Sequence, residues 1–180
     1  METTSNNTQD DIITLLEEPQ MVFNDYKLTG LYVPMGISCT FKCIKELKAM
    51  NYPLTEKENC HNHHLINCTK KFMSVKKLYE DYIKNNYFIE CIILSGLEVM
   101  DNMKDLLHFL KEIKNYTNLP VVIFTGYKEE EVADKIKQIK EVTDREIVFK
   151  FGRYQPYQKP RYDEIGGITL ASGNQYFKII

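Results

Sequence analysis

Short apolar runs rich in β-branched residues recur along this 180-residue chain, and amphipathic stretches separate them. The runs at 30–35, 89–94, 119–124 and 146–151 have the length of buried strands. Helical spacing marks the intervening stretches: Val75, Leu78, Tyr79 and Tyr82 in one, Leu106, Leu107, Leu110 and Ile113 in another. Such strand–helix alternation predicts βαβ units, a parallel sheet and right-handed crossovers. It places helices over 75–85, 103–116 and 128–141, with Ser74 and Asp101 as N-caps for the first two. A short helix is expected at 11–18 and another at 43–50, and strands at 168–171 and 176–180. Residues 55–67 read as irregular. The predicted organisation is a tail over 1–20 and one domain over 21–180.

In such a sheet the ligand lies beyond the carboxyl ends of the strands. Polar clusters fall at those ends: Cys39 and Cys43 after the first run, Gly96 and Glu98 after the second, Thr125 and Gly126 after the third, Gly152 and Arg153 after the fourth. The net charge of −2 gives no electrostatic case for nucleic acid or a membrane surface as a partner. A chain with no long apolar stretch and no basic–apolar leader pattern is expected in the cytoplasm. There, five cysteines point to metal ligation or buried thiols rather than disulfides.

Three of those cysteines carry the chemistry. Cys39-Thr40-Phe41-Lys42-Cys43 and Cys60-His61-Asn62 lie among polar residues, where burial explains a thiol poorly. Three thiolates can hold an iron–sulfur cluster and leave one iron open to a ligand. Zinc is the rival metal, with His61, His63 or His64 completing the set. Cys68 reads as either a fourth ligand or a surface thiol, and Cys91 reads as inert core. An ordinary strand-to-helix turn is the plain reading of Ser95-Gly96-Leu97-Glu98. The functional reading is a carboxylate that binds the ammonium of an amino-acid-like ligand. Arg153 is a candidate for the ligand's carboxylate, and a surface arginine is its plain reading.

Taken in order, these segments resemble the radical S-adenosylmethionine (SAM) superfamily, and within it the activating proteins of anaerobic (class III) ribonucleotide reductases. The family's three-cysteine motif matches at Cys39, Cys43 and Cys60, with residues 44–59 inserted where the family has two and Asn59 where it often has an aromatic residue. Ser95-Gly96-Leu97-Glu98 resembles its Gly-Gly-Glu segment. Phe124-Thr125-Gly126-Tyr127, Phe151-Gly152-Arg153-Tyr154 and Ser172-Gly173-Asn174-Gln175 resemble its later motifs. The resemblance implies a partial, open (β/α) barrel with a mainly parallel sheet. It implies a [4Fe–4S] cluster on Cys39, Cys43 and Cys60, and SAM held by Gly96, Glu98, Thr125, Gly126, Asn62 and Arg153. It further implies an electron from an external donor such as flavodoxin, cleavage of SAM to a 5′-deoxyadenosyl radical, and a glycyl radical on a large reductase. Another peptide or a small molecule as substrate, or a non-catalytic zinc or iron–sulfur module, are the alternatives.

Overall fold

A computed structural model describes residues 11–53, 60 and 62–180. Residues 54–59 of the inserted stretch, Asn59 among them, and His61 lie outside the described residues. Strands β2 (Gln20–Val22), β3 (Gly30–Gly36), β5 (Cys91–Gly96), β6 (Val121–Phe124), β7 (Ile147–Phe151) and β10 (Tyr176–Ile179) form one open sheet. Its order is β10-β7-β6-β5-β3-β2. The neighbours β3–β5, β5–β6 and β6–β7 pair in parallel; β2 and β10 pair antiparallel at the two edges.

The parallel strands advance in one direction across the sheet. Right-handed crossovers wound one way put the helices that connect these strands on the same face. That face buries Leu31, Val33, Met35, Ile92, Leu94, Ile123 and Phe149 against α2 (Val75–Leu78), α3 (Met103–Ile113) and α4 (Ala133–Val142). The opposite face carries a smaller cluster, in which Cys91, Ile93, Val122 and Val148 meet Tyr26, Leu170 and Phe177. The crossover helices therefore leave that face free for loops and for a cavity.

Several expectations need correction. The helix expected over 11–18 does not form: β1 (Ile12–Leu15) is a strand, paired antiparallel with β4 (Lys71–Ser74). The adjacent isoleucines mask the alternation, since Ile12 is exposed while Ile13 and Leu15 are fully buried in the core. The segment 11–20 is thus part of the packed body rather than of a tail. Asp101 does not cap α3. The residue before the helix is Asn102, whose amide donates to the Met35 carbonyl and to Asp105. Ser74 does cap α2, accepting from the Lys77 backbone N–H. The predicted helix 75–85 is α2 followed by a wider turn over Tyr79–Ile83, with the Lys84 N–H reaching the Tyr79 carbonyl. The third helix opens with a separate 3₁₀ turn, Glu129–Glu131. A small hairpin of β8 (Arg161–Asp163) and β9 (Ile168–Leu170) completes the carboxyl-terminal segment. Helix α1 (Lys42–Ala49) lies within the Cys39–Cys60 connection. No helix among the described residues is long and apolar enough to cross a membrane.

Candidate functional site

Because β3, β5, β6 and β7 are parallel, their carboxyl ends share one edge. One cavity opens there, and Cys39, Cys43, Cys60, Asn62, Gly96, Glu98, Thr125, Gly126 and Arg153 all line it. The sheet joins into one wall residues that lie more than a hundred positions apart.

The first two strand ends meet through glycine. The Leu97 N–H donates to the Gly36 carbonyl at 2.7 Å. A β-carbon on Gly96 would lie 2.6 Å from the Gly36 nitrogen, and one on Gly36 would lie 2.6 Å from the Glu98 nitrogen. Gly96 also holds φ +125°, which side-chain-bearing residues rarely adopt. Neither position accepts another residue without moving backbone. The sequence signal for Gly36 was its place at a strand end, but its need for Gly96 is visible only across the sheet.

Glu98 joins the second strand end to the third. Its Oε1 accepts from the Thr125 hydroxyl at 2.7 Å and from the Met100 N–H at 3.1 Å; its Oε2 accepts from the Gly126 N–H at 2.9 Å. The side chain is buried, and burial pushes its carboxyl up to about 7 despite those three bonds. Asn62, two residues after Cys60, donates its amide to the Gly96 carbonyl and so ties the cysteine loop to the same strand end.

The three thiols are free and differ in burial, Cys60 being buried and Cys39 and Cys43 half-buried. Between Cys39 and Cys43, Phe41 adopts a left-handed backbone (φ 53°), and its N–H donates to the Cys39 sulfur at 3.2 Å. Left-handed backbone at a non-glycine residue stores strain that is concentrated at functional sites. Desolvation pushes the Cys39 thiol up to about 11 and raises Cys43 and Cys60 as well; for Cys43 the neighbouring Cys60 is the next cause. Thiols gathered in a desolvated pocket resist ionising together unless a cation compensates them, and metal binding displaces their protons. The donor set therefore fits a positively charged iron–sulfur core. Among the described residues, no group of three His, Cys, Asp or Glu side chains is close enough to hold a single metal ion. A cluster core, broader than one ion, spreads its thiolates apart.

Cys68 lies outside this cavity, its thiol reaching the His64 carbonyl at 3.4 Å. Cys91 is fully buried on the face away from the helices. His63 turns its ring back to the Cys60 carbonyl, and His64 is exposed.

The far lip is an ion network. Arg153 is buried and donates to Glu131 at 2.7 Å, with Glu46 of α1 at 3.5 Å from its Nε. Lys42 also pairs with Glu131, at 3.2 Å. The Arg153 hydrogen bond is the main reason that Glu131 falls to about 2. Tyr127 packs beneath Lys42, Lys135 and Arg153 and donates its hydroxyl to Asp101 at 2.7 Å. Helix α1 is thus tied across to the loops that follow β6 and β7. The Ser172–Gln175 turn holds the last strand end: Asn174 donates to the Arg153 carbonyl and Gln175 to the Gly152 carbonyl. Lys42, Asp101 and Glu131 carried no site signal in the sequence, because their roles arise only where separate loops meet.

A family model described as a 4Fe-4S single cluster domain matches residues 54–167. The matched segment includes Cys60, Cys68 and Cys91 and begins after Cys39 and Cys43. No curated protein and no solved structure matches the chain.

Proposed function

Since the chain belongs to the 4Fe-4S single cluster domain family, we propose that it is a radical SAM enzyme whose substrate is a glycine of an anaerobic ribonucleotide reductase. The observation that carries this reading is the convergence of three thiols with Gly96, Glu98, Thr125, Gly126 and Arg153 on one cavity. The one-way strand order, with helices on a single face, suits an open (β/α) barrel.

Cys39, Cys43 and Cys60 would hold the cluster. Bound there, it would supply the electron, drawn from an external donor such as flavodoxin, that cleaves SAM to methionine and a 5′-deoxyadenosyl radical. The protein's own residues bind and orient. An ionised carboxylate offers about four lone-pair sites. Glu98 uses three, and the remaining one, on Oε2, would receive the ligand's ammonium. That ammonium would stabilise the charged carboxylate that burial disfavours. The Gly36–Gly96 contact fixes the position of Glu98 by removing side chains between the two strand ends. Asn62 holds Cys60 in register with the same strand end. Arg153, held by Glu131 and Glu46, keeps positive charge beside the thiol of Cys43 and favours its ionised form.

The test is anaerobic reconstitution with iron and sulfide quantification, followed by reduction with dithionite in the presence of SAM. The expected results are four irons per chain and 5′-deoxyadenosine in wild type, loss of both in Cys39→Ser, Cys43→Ser and Cys60→Ser, and retention of both in Cys68→Ser. A glycyl-radical signal on added reductase completes the assignment. Iron without 5′-deoxyadenosine would leave a non-catalytic iron–sulfur module, and iron retained in Cys60→Ser would overturn the ligand set.

A further inference from the structure

The cavity extends beyond the strand-end loops onto the helix-free face of the sheet, where Asp25, Tyr32, Phe124 and Lys150 line it. Lys150 of β7 and Phe124 of β6 are register partners, and the Lys150 ammonium lies over the Phe124 ring, 4.8 Å from its centroid. Among the described residues, no hydrogen bond or ion pair reaches that ammonium. Its neighbours in the chain, Phe149 and Phe151, point to the opposite face and are fully buried. Lys150 itself is half-buried, on the face that carries the cavity. Burial pulls its pKa down, and Asp25, the carboxylate that acts on it, lies beyond ion-pair distance and is itself exposed. On β3, three strands away, Tyr32 is half-buried and lies beside Ser95 and the Gly96 backbone. Arg153, the cation that the sequence offers for a ligand carboxylate, is taken by Glu131 and Glu46. Lys42, which also lines the cavity, is paired with Glu131; among the described residues, Lys150 is the lining cation with no hydrogen-bond or ion-pair partner.

We propose that Lys150 is a carboxylate-binding subsite, with Phe124 as the apolar floor beneath the bound group. A half-buried ammonium over an aromatic ring, with three N–H donors and no acceptor among the described residues, leaves a partly desolvated charge uncompensated, and a ligand carboxylate compensates it through charge-assisted hydrogen bonds. The cysteines follow β3 and Lys150 lies on β7, three strands away across the sheet. At about 4.8 Å per strand, the subsite is roughly 14 Å along the wall from the β3 end. The carboxylate therefore belongs to a part of the ligand set remote from the thiols. An acidic side chain flanking the reacting residue of a peptide fits this placement; that choice of carrier rests on the function proposed above, whereas the subsite itself does not.

The test measures binding to the reduced, metal-free protein by calorimetry. The probes are glycine-centred hexapeptides that differ only in one flanking residue, Glu or Gln, together with SAM and glutarate. Expected is binding of the Glu peptide at least about tenfold tighter than the Gln peptide, the discrimination of one charge-assisted hydrogen bond. Lys150→Met is expected to abolish that preference, Lys150→Arg to keep it, and Asp25→Asn to strengthen it. Glutarate binding with the same dependence on Lys150, and no peptide discrimination, would assign the subsite to a small acid. Equal binding of all carboxylate and neutral probes, or a preference that survives in Lys150→Met, would overturn the proposal. Lys150-dependent binding in a protein that assembles no iron would separate failure of the cluster reading from failure of the subsite.

Discussion

Replacing Glu98 with glutamine keeps the side chain's shape and removes its charge. In the folded protein burial raises this carboxyl from its ordinary 4.5 to about 7, against the pull of bonds from Thr125, Gly126 and Met100. The unfolded chain titrates near the ordinary value. Between these two values the folded state therefore binds more protons than the unfolded state, and stability falls as pH rises. The contribution of the neutral acid is full below 4.5 and lost above about 7. At about 1.4 kcal/mol per pH unit, the window amounts to about 3 kcal/mol. Glutamine does not titrate, so Glu98→Gln lacks this slope. Its amide also faces the Gly126 N–H, but that offset is the same at every pH and cancels. Urea unfolding of the reduced, metal-free protein at about pH 4.5 and about pH 8 measures the effect. Relative to wild type, the variant is expected to gain about 3 kcal/mol at the higher pH. An unchanged difference between the two would refute the reasoning, and would mean that three donors offset the whole cost of burying the charge.

Two further outcomes test the packing that places the site. Ile13→Ala is expected to cost about 2–5 kcal/mol in unfolding free energy and Ile12→Ala to stay within about 0.5 kcal/mol, since only the first is buried; equal effects would refute the strand alternation of β1. Gly96→Ala is expected to lower stability by more than about 2 kcal/mol in the same assay, because φ +125° and the Gly36 backbone both oppose a β-carbon; a variant of wild-type stability would show that the two strand ends separate freely.

The strands that cross the sheet centre were legible because burial on both faces makes them continuous apolar runs: Cys91–Gly96 and Ile147–Phe151 lie almost wholly inside. Their long amphipathic crossovers were legible for the complementary reason, as α3 buries Leu106, Phe109, Leu110 and Ile113 along one side. The peripheral ribbon was not. Lys71–Ser74 is half exposed and carries no apolar run, so its strand state depends on pairing with Ile12–Leu15, more than fifty residues away. Within the site, Cys39, Cys43, Cys60 and the strand-end residues Gly96, Glu98, Thr125, Gly126 and Arg153 all reach one cavity, while Cys68, His63 and His64 do not line it; the partners of those that do were hidden. Arg153 reads as a free cation in one dimension; Glu46 and Glu131 occupy it only after α1 and the loop following β6 have been brought together.

By itself the sequence determined the period of its elements, and through the handedness of βαβ crossovers it determined that the polar strand ends share one edge. It also determined the chemistry available at that edge, because thiols, a carboxylate and glycines are properties of residue types. Only the tertiary structure decided which of those groups are satisfied and which remain open. Hydrogen bonding and desolvation depend on neighbours from distant segments. Glu98 with one lone pair to spare, Gly36 against Gly96, and Lys150 half-buried over Phe124 with no acceptor among the described residues are all products of that long-range packing.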